Sequence, residues 1–131
     1  MERYPNDVKL VMKNFPLNIH KFAEPAALAA LAADKQGKFF AFHDKLFENY
    51  RVVNDEKIDD IAKELGLDME AFTKDRKSPS IQNQVAKDLF NGRQAGVRGT
   101  PTVFINGKVL RKRSLKGFEE MIEAELKKQK N

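Results

Sequence analysis

The sequence predicts an α/β fold, ordered as one strand, a block of helices, a β-hairpin and a closing helix. Three observations carry that prediction. Apolar and polar residues alternate near the N-terminus. Apolar residues recur at helical spacing between residues 23 and 96 and again after residue 114, and Asn106-Gly107 stands between two runs of strand formers. At 131 residues, 41% of them hydrophobic, the chain has the size of one domain with a real core.

Val8, Leu10 and Met12 alternate with Lys9, Val11 and Lys13, which predicts a first strand ending near Phe15-Pro16. "EPAALAALAADKQG" follows, with Pro25 suited to a first helical turn, alanines of high helix propensity and Gly37 as a stop. In "KFFAFHDKLFENY", Phe39, Phe42, Leu46 and Tyr50 form one face of a second helix. Asn54 or Asp55 can cap a third helix with Ile58, Ile61, Ala62 and Leu65 inward and Gly66 as its stop. Asp68 starts a short fourth helix through Phe72. Ser78 and Pro79 open a fifth that buries Ile81, Val85 and Leu89 and ends near Gly96. "TVFI" and "KVL" flank Asn106-Gly107, a strong hairpin signal, and Ser114 can cap a last helix with Leu115, Phe118, Met121, Ile122 and Leu126 inward.

Composition excludes several kinds of chemistry. The chain has no cysteine, so it can form no disulfide, thiolate nucleophile or Cys-based metal site. His20 and His43 are its only histidines and no acidic cluster at ligand spacing accompanies them, so no metal or cofactor is expected. No Ser or Cys nucleophile supports a hydrolytic triad. No apolar run approaches the roughly 18 residues of a membrane span. "MERYPNDVKL" lacks the pattern of a signal peptide, so the chain reads either as cytosolic or as starting downstream of a natural start. The net charge of +5 is concentrated at one end: residues 108–131 hold eight Lys/Arg against four Asp/Glu.

The stretch "AGVRGTPTVFINGK" is the least generic. Spacing alone makes Pro101 an ordinary turn proline ahead of a strand, with Gly96 and Gly99 supplying backbone freedom. In context, "GVRGTPTVFINGK" resembles the cis-proline loop and hairpin of thioredoxin-fold disulfide oxidoreductases of the DsbA type. "KNFPLNIHKFAEPAALAALAA", "GKFFAFHDKLFEN" and "IAKELGLDMEAF" resemble further segments of that family in family order, from about Val8 to Leu126. The resemblance implies a single truncated thioredoxin-like domain over residues 1–131, with a helical insertion at approximately 23–96. It implies a cis Thr100-Pro101 bond beside the family's active site. It also implies that Thr100, Pro101, Gly99 and Arg98 contact a polypeptide substrate or partner redox protein by strand-like hydrogen bonds. Gln94 is expected on the same rim, and Asn83 and Gln84 on the solvent face.

The chain departs from that family in lacking the Cys-x-x-Cys motif on which its chemistry depends, so no catalytic residue is assigned. Two explanations stand. Met1-Glu2-Arg3-Tyr4 resembles the end of the family's active-site helix, which makes the chain the C-terminal portion of a periplasmic or extracytoplasmic oxidoreductase. Alternatively it is a redox-inactive, peptide-binding thioredoxin-like domain. On the first explanation the central strand of the sheet is missing, and the open edges are expected to pair in a homodimer or strand-swapped oligomer, with direct closure of Val8–Met12 onto Thr102–Ile105 as the lesser route.

His20 matches a histidine after the family's Pro-Leu turn and reads as a structural turn residue or as site-adjacent; His43 reads as an edge-of-core residue. Arg111, Lys112, Arg113 and Lys116, with Lys127, Lys128 and Lys130, read as a solvated helix end. Without interleaved aromatic residues they do not suggest nucleic-acid binding.

Overall fold

The structure is a computed structural model that describes residues 2–130, apart from the Lys130 side chain. The readings placed on Met1 and on the Lys130 charge lie outside the described residues. The chain divides into two compact units, one formed by Met1–Met12 with Val97–Asn131 and the other by Lys13–Gly96.

The second unit is helical. α1 (Ala23–Asp34) packs against α2 (Phe39–Glu48), α3 (Asp55–Glu64), α4 (Met69–Arg76) and α5 (Pro79–Gln94). It can do so because Ala29, Ala30, Ala32 and Ala33, all buried, point to several sides of the helix and project only a methyl group. Around it sit Phe42, Ile58, Ile61 and Phe72, all fully buried, with the Phe42 and Phe72 ring centroids 5.7 Å apart. Burying each of these side chains is worth about 1.5–3 kcal/mol relative to leaving it in water.

The caps follow the sequence. Asn54 accepts from the Lys57 amide at 2.7 Å, Asp68 from Ala71 at 3.1 Å and Ser78 from Ile81 at 3.4 Å. Each satisfies one of the orphan donors of a first turn. α4 runs on past Phe72 to Arg76, which pairs with Asp59 at 3.0 Å and lies over the Phe72 ring. On α5 the expected inward Leu89 is only half-buried, and Asp88 is buried in its place. At about 100° per residue, position 88 falls closer than 89 to the stripe through Ile81 and Val85. The Asp88 carboxylate accepts from the Asn14 amide at 3.0 Å, from Asn14 Nδ2 at 2.8 Å and from Gln84 Nε2 at 2.9 Å, with Lys13 Nζ 4.0 Å away. Gln84 thus serves Asp88 although it is exposed; Tyr50, expected on the α2 face, lies beyond the helix end and is also exposed.

In the first unit β1 (Phe104–Ile105) and β2 (Lys108–Val109) pair antiparallel, Phe104 opposite Val109. Asn106 and Gly107 both have positive φ, 48° and 79°, which suits a two-residue hairpin loop. The Leu110 amide donates to the Val103 carbonyl at 2.8 Å, and Leu110 is buried. The strand predicted at Val8–Met12 is not formed. Residues 8–17 have no regular secondary structure, Leu10, Val11 and Met12 are exposed, and among the described residues no ladder joins them to Thr102–Ile105. Alternation marks two faces but supplies no partner, and a strand exists only where a neighbour takes its hydrogen bonds.

α6 (Leu115–Lys130) starts as expected, with Ser114 Oγ accepting from the Gly117 amide at 3.1 Å. Phe118, Met121, Ile122 and Leu126 are half-buried, whereas Leu115 is 68% exposed. It borders an open groove of about 550 Å³, lined also by Val8, Leu10, Phe104, Phe118 and Ile122, so no packed layer covers it. The helix-end reading of the basic cluster holds for Lys127 and Lys128 only. Arg111, Lys112, Arg113 and Lys116 stand at the opposite, N-terminal end of α6, where the helix dipole opposes positive charge.

Gly117 and the Lys108–Glu125 pair are open to direct tests. A Cβ at Gly117 would lie 2.0 Å from the Lys112 carbonyl oxygen. Gly→Ala inside a helix ordinarily stabilises by about 0.5–1 kcal/mol. Gly117→Ala should instead destabilise, by about 1–3 kcal/mol in urea unfolding, because backbone must move; a stabilised variant would show that Lys112 does not pack there. Lys108 Nζ lies 2.8 Å from Glu125 Oε1, and this hydrogen bond holds Glu125 below the usual carboxylate range and Lys108 above the usual lysine range. The stabilisation from Glu125 is therefore present above its unfolded-state pKa and lost as pH falls through the depressed folded value. Glu125→Gln should lower the melting temperature at neutral pH and converge with the parent protein in acid; an equal gap at both pH values would contradict the pair.

Candidate functional site

α5 ends at Gln94, Gly96 follows at a φ of 85°, and the chain crosses Val97–Pro101 before turning into the hairpin. Arg98, Thr100 and Pro101 are exposed and Gly99 is half-buried. The Thr100-Pro101 peptide bond is cis. Proline has no N–H, so from residue 98 to 101 the loop offers three amides and four carbonyls.

Two of those carbonyls are occupied from within the same unit. Thr102 Oγ1 donates to the Gly99 carbonyl at 2.7 Å, and Arg113 Nη1 donates to the Pro101 carbonyl at 2.6 Å. Among the described residues, the amides of Arg98, Gly99 and Thr100 make no hydrogen bond, and neither does the Thr100 carbonyl. Thr100 is thus an exposed residue whose amide and carbonyl have no hydrogen-bond partner among the described residues, on a loop whose Gly99 and Pro101 carbonyls are bonded. An extended chain laid alongside could fill that pair.

The sequence-selected residues Arg98, Gly99, Thr100 and Pro101 thus form one continuous exposed loop in the first unit, and Gln94 is exposed at the α5 end. His20 belongs to the second unit. Its amide donates to the Leu17 carbonyl at 3.0 Å and its carbonyl accepts from Ala23 at 3.1 Å, so it sits in a tight turn ahead of α1. The turn borders a hollow of about 570 Å³ lined by Phe22, Leu46, Phe47 and Tyr50. His43 is half-buried between the Phe39 and Phe47 rings, at centroid distances of 5.8 and 4.7 Å, and its Nδ1 lies 3.5 Å from Asp44. Among the described residues, no three His, Asp or Glu side chains are grouped as metal ligands would be.

Sequence reasoning missed two polar residues that matter. Arg113 was grouped with a solvated cluster, yet it bonds to the loop twelve residues earlier, a contact no spacing rule announces. Asp88 carries no motif in the sequence, and its place near the Ile81–Val85 stripe is the available signal.

The sequence model of the thioredoxin family matches residues 2–124. A probable disulfide bond formation protein D from Bacillus cereus is 34% identical over 130 residues, covering 92% of this chain and 59% of that protein. A Na(+)/H(+) antiporter NhaA from Herminiimonas arsenicoxydans is 34% identical over 108 residues, 82% of this chain and 17% of the antiporter. The chain thus spans less than two thirds of the length of either relative. The crystal structure of a thioredoxin-like oxidoreductase from Silicibacter pomeroyi DSS-3 superposes with a TM-score of 0.72 at 26% identity, covering 88% of this chain and 66% of that one. With a matching family model over nearly its whole length and a thioredoxin-like fold, the chain belongs to the thioredoxin family and is homologous to disulfide bond formation protein D.

Proposed function

We propose that this chain is the peptide-contacting, C-terminal portion of a DsbA-type protein thiol:disulfide oxidoreductase acting in an oxidising, extracytoplasmic compartment. The observation that carries this is the exposed Thr100, whose amide and carbonyl make no hydrogen bond among the described residues while the carbonyls of Gly99 and Pro101 on either side are bonded. A Cys-x-x-Cys outside these 131 residues would supply the exchange chemistry. The residues of this chain would hold the substrate backbone: Thr100 through its amide and carbonyl, with Gly99 and Pro101 shaping the loop and Arg98 on its rim. His20 acts in this scheme as a turn residue ahead of α1. The absence of cysteine supports a second reading, a redox-inactive thioredoxin-like domain that binds peptides for their own sake.

Either reading is tested on the protein in solution. Titration of an extended peptide into isotopically labelled protein should shift the amide resonances of Arg98, Gly99 and Thr100 first, while insulin reduction stays at the buffer rate. Peptide binding mapped elsewhere would refute the site, and turnover above the buffer rate would refute the chemistry. An in-frame Cys-x-x-Cys encoded upstream of Met1 would separate the first reading from the second.

The hairpin also bears on assembly. β1 pairs with β2 alone among the described residues, Leu10 and Phe104 are exposed along the groove, and Val11 and Met12 are exposed in the segment that joins no ladder. A two-stranded sheet is marginal alone, and an open edge recruits strands from other chains. We propose a homodimer or strand-swapped oligomer on this account. Light scattering coupled to size exclusion should give a mass above the 15.0 kDa of one chain that falls on dilution; a monomer with cooperative, concentration-independent unfolding would refute it.

A further inference from the structure

The stretch of sequence that holds the loop carries charge of one sign. Between Val97 and Phe118 the sequence has Arg98, Lys108, Arg111, Lys112, Arg113 and Lys116 and no Asp or Glu. Lys108 is neutralised by Glu125, and Lys116 lies 3.9 Å from Glu120. Among the described residues, Arg98, Arg111, Lys112 and Arg113 have no carboxylate within 4.0 Å, and all four are exposed. Arg113 is not a loose surface charge, because its bond to the Pro101 carbonyl fixes a guanidinium one residue from the open Thr100 pair. Arg98 stands two residues before Thr100 in the sequence and is exposed. Most of the guanidinium's five N–H donors remain available beyond that one bond.

We propose that the polypeptide taken by this loop is acidic. It would be an extended segment carrying Asp or Glu near the residue paired with Thr100, with Arg98 and Arg113 as specificity-determining residues and Arg111 and Lys112 extending the positive field. This deepens the peptide-contacting reading and rests on it. Guanidinium groups take carboxylates bidentately, and arginines at the two flanks of a strand-type pair fix both the charge and the register of an incoming chain. Positive charge gathered on one side of a binding surface raises the rate of encounter with an acidic partner and rejects a basic one. A nucleic acid fits the surface less well. The open amide and carbonyl of Thr100 match a peptide backbone, and no aromatic residue stands between Arg111 and Leu115 to stack a base.

The test uses the whole chain and four fluorescein-labelled probes of equal length: alternating Glu-Val, Thr-Val and Lys-Val peptides and an oligothymidylate, followed by fluorescence anisotropy. At low salt the Glu-Val peptide should bind about tenfold more tightly than Thr-Val, and Lys-Val more weakly than either. The preference should collapse near 1 M salt, where the screening length falls to about 3 Å. An Arg111→Gln/Lys112→Gln variant, shown by circular dichroism to be folded, should lose part of the acidic preference while its affinity for Thr-Val is unchanged. Equal binding of Glu-Val and Thr-Val would overturn the acidic assignment and leave the peptide-contacting loop standing, and a variant that keeps the full preference would overturn the part given to Arg111 and Lys112. Binding of none of the three peptides would overturn that loop reading and this inference with it. Tighter binding of the oligothymidylate than of Glu-Val would make the surface a nucleic-acid interface and overturn the proposal.

Discussion

The smallness of α1 is the constraint on which the helical unit depends. A helix contacted by α2, α3, α4 and α5 has little room for bulk where they meet it, and its buried Ala29, Ala30, Ala32 and Ala33 meet that condition with methyl groups. Helix axes in contact sit about 8–10 Å apart, and the lower end of that range requires small residues at the crossing. The volume left free by the alanines is filled from the surrounding helices, by Phe42, Phe72, Ile58 and Ile61. Enlarging any of the four alanines would therefore displace a neighbouring helix, in a core whose density leaves no slack.

Asp88 plays a complementary part in the same unit. Its carboxylate receives two hydrogen bonds from Asn14, so the irregular segment before α1 is tied to α5 by polar contacts. A buried carboxylate is tolerable only when its oxygens are satisfied, and Gln84, one turn earlier on α5, completes the set.

In the first unit, order and openness are divided between neighbouring residues. The hairpin is held by the Lys108–Glu125 pair and by Leu110, and Arg113 and Thr102 bond to carbonyls of the preceding loop. Thr100 is left with unpaired backbone groups on an otherwise braced segment. Such a loop has already lost much of the conformational freedom that binding would otherwise remove. Of the four cations without carboxylate neighbours among the described residues, only Arg113 makes a side-chain hydrogen bond within this unit, to the Pro101 carbonyl, and those at the start of α6 oppose the helix dipole. The chain belongs to the thioredoxin family and contains no cysteine.

The sequence alone determined the elements whose causes are local. Asn54, Asp68, Ser78 and Ser114 cap helices because a side-chain oxygen reaches an amide three residues on, and Asn106-Gly107 turns because both residues tolerate positive φ. The loop at Arg98–Pro101 was legible in the same way, from its glycines, its proline and its family pattern. Only the tertiary structure decided what depends on a partner far along the chain. Val8–Met12 alternates like a strand but has no ladder to join, Leu115 keeps to the apolar stripe of α6 but borders an open groove, and Asp88 is buried because Asn14 comes to it. Arg113 became part of the candidate site through one hydrogen bond to a carbonyl twelve residues earlier. Periodicity and capping act over three or four residues, whereas pairing, burial and charge placement are set by whichever distant groups the fold brings near.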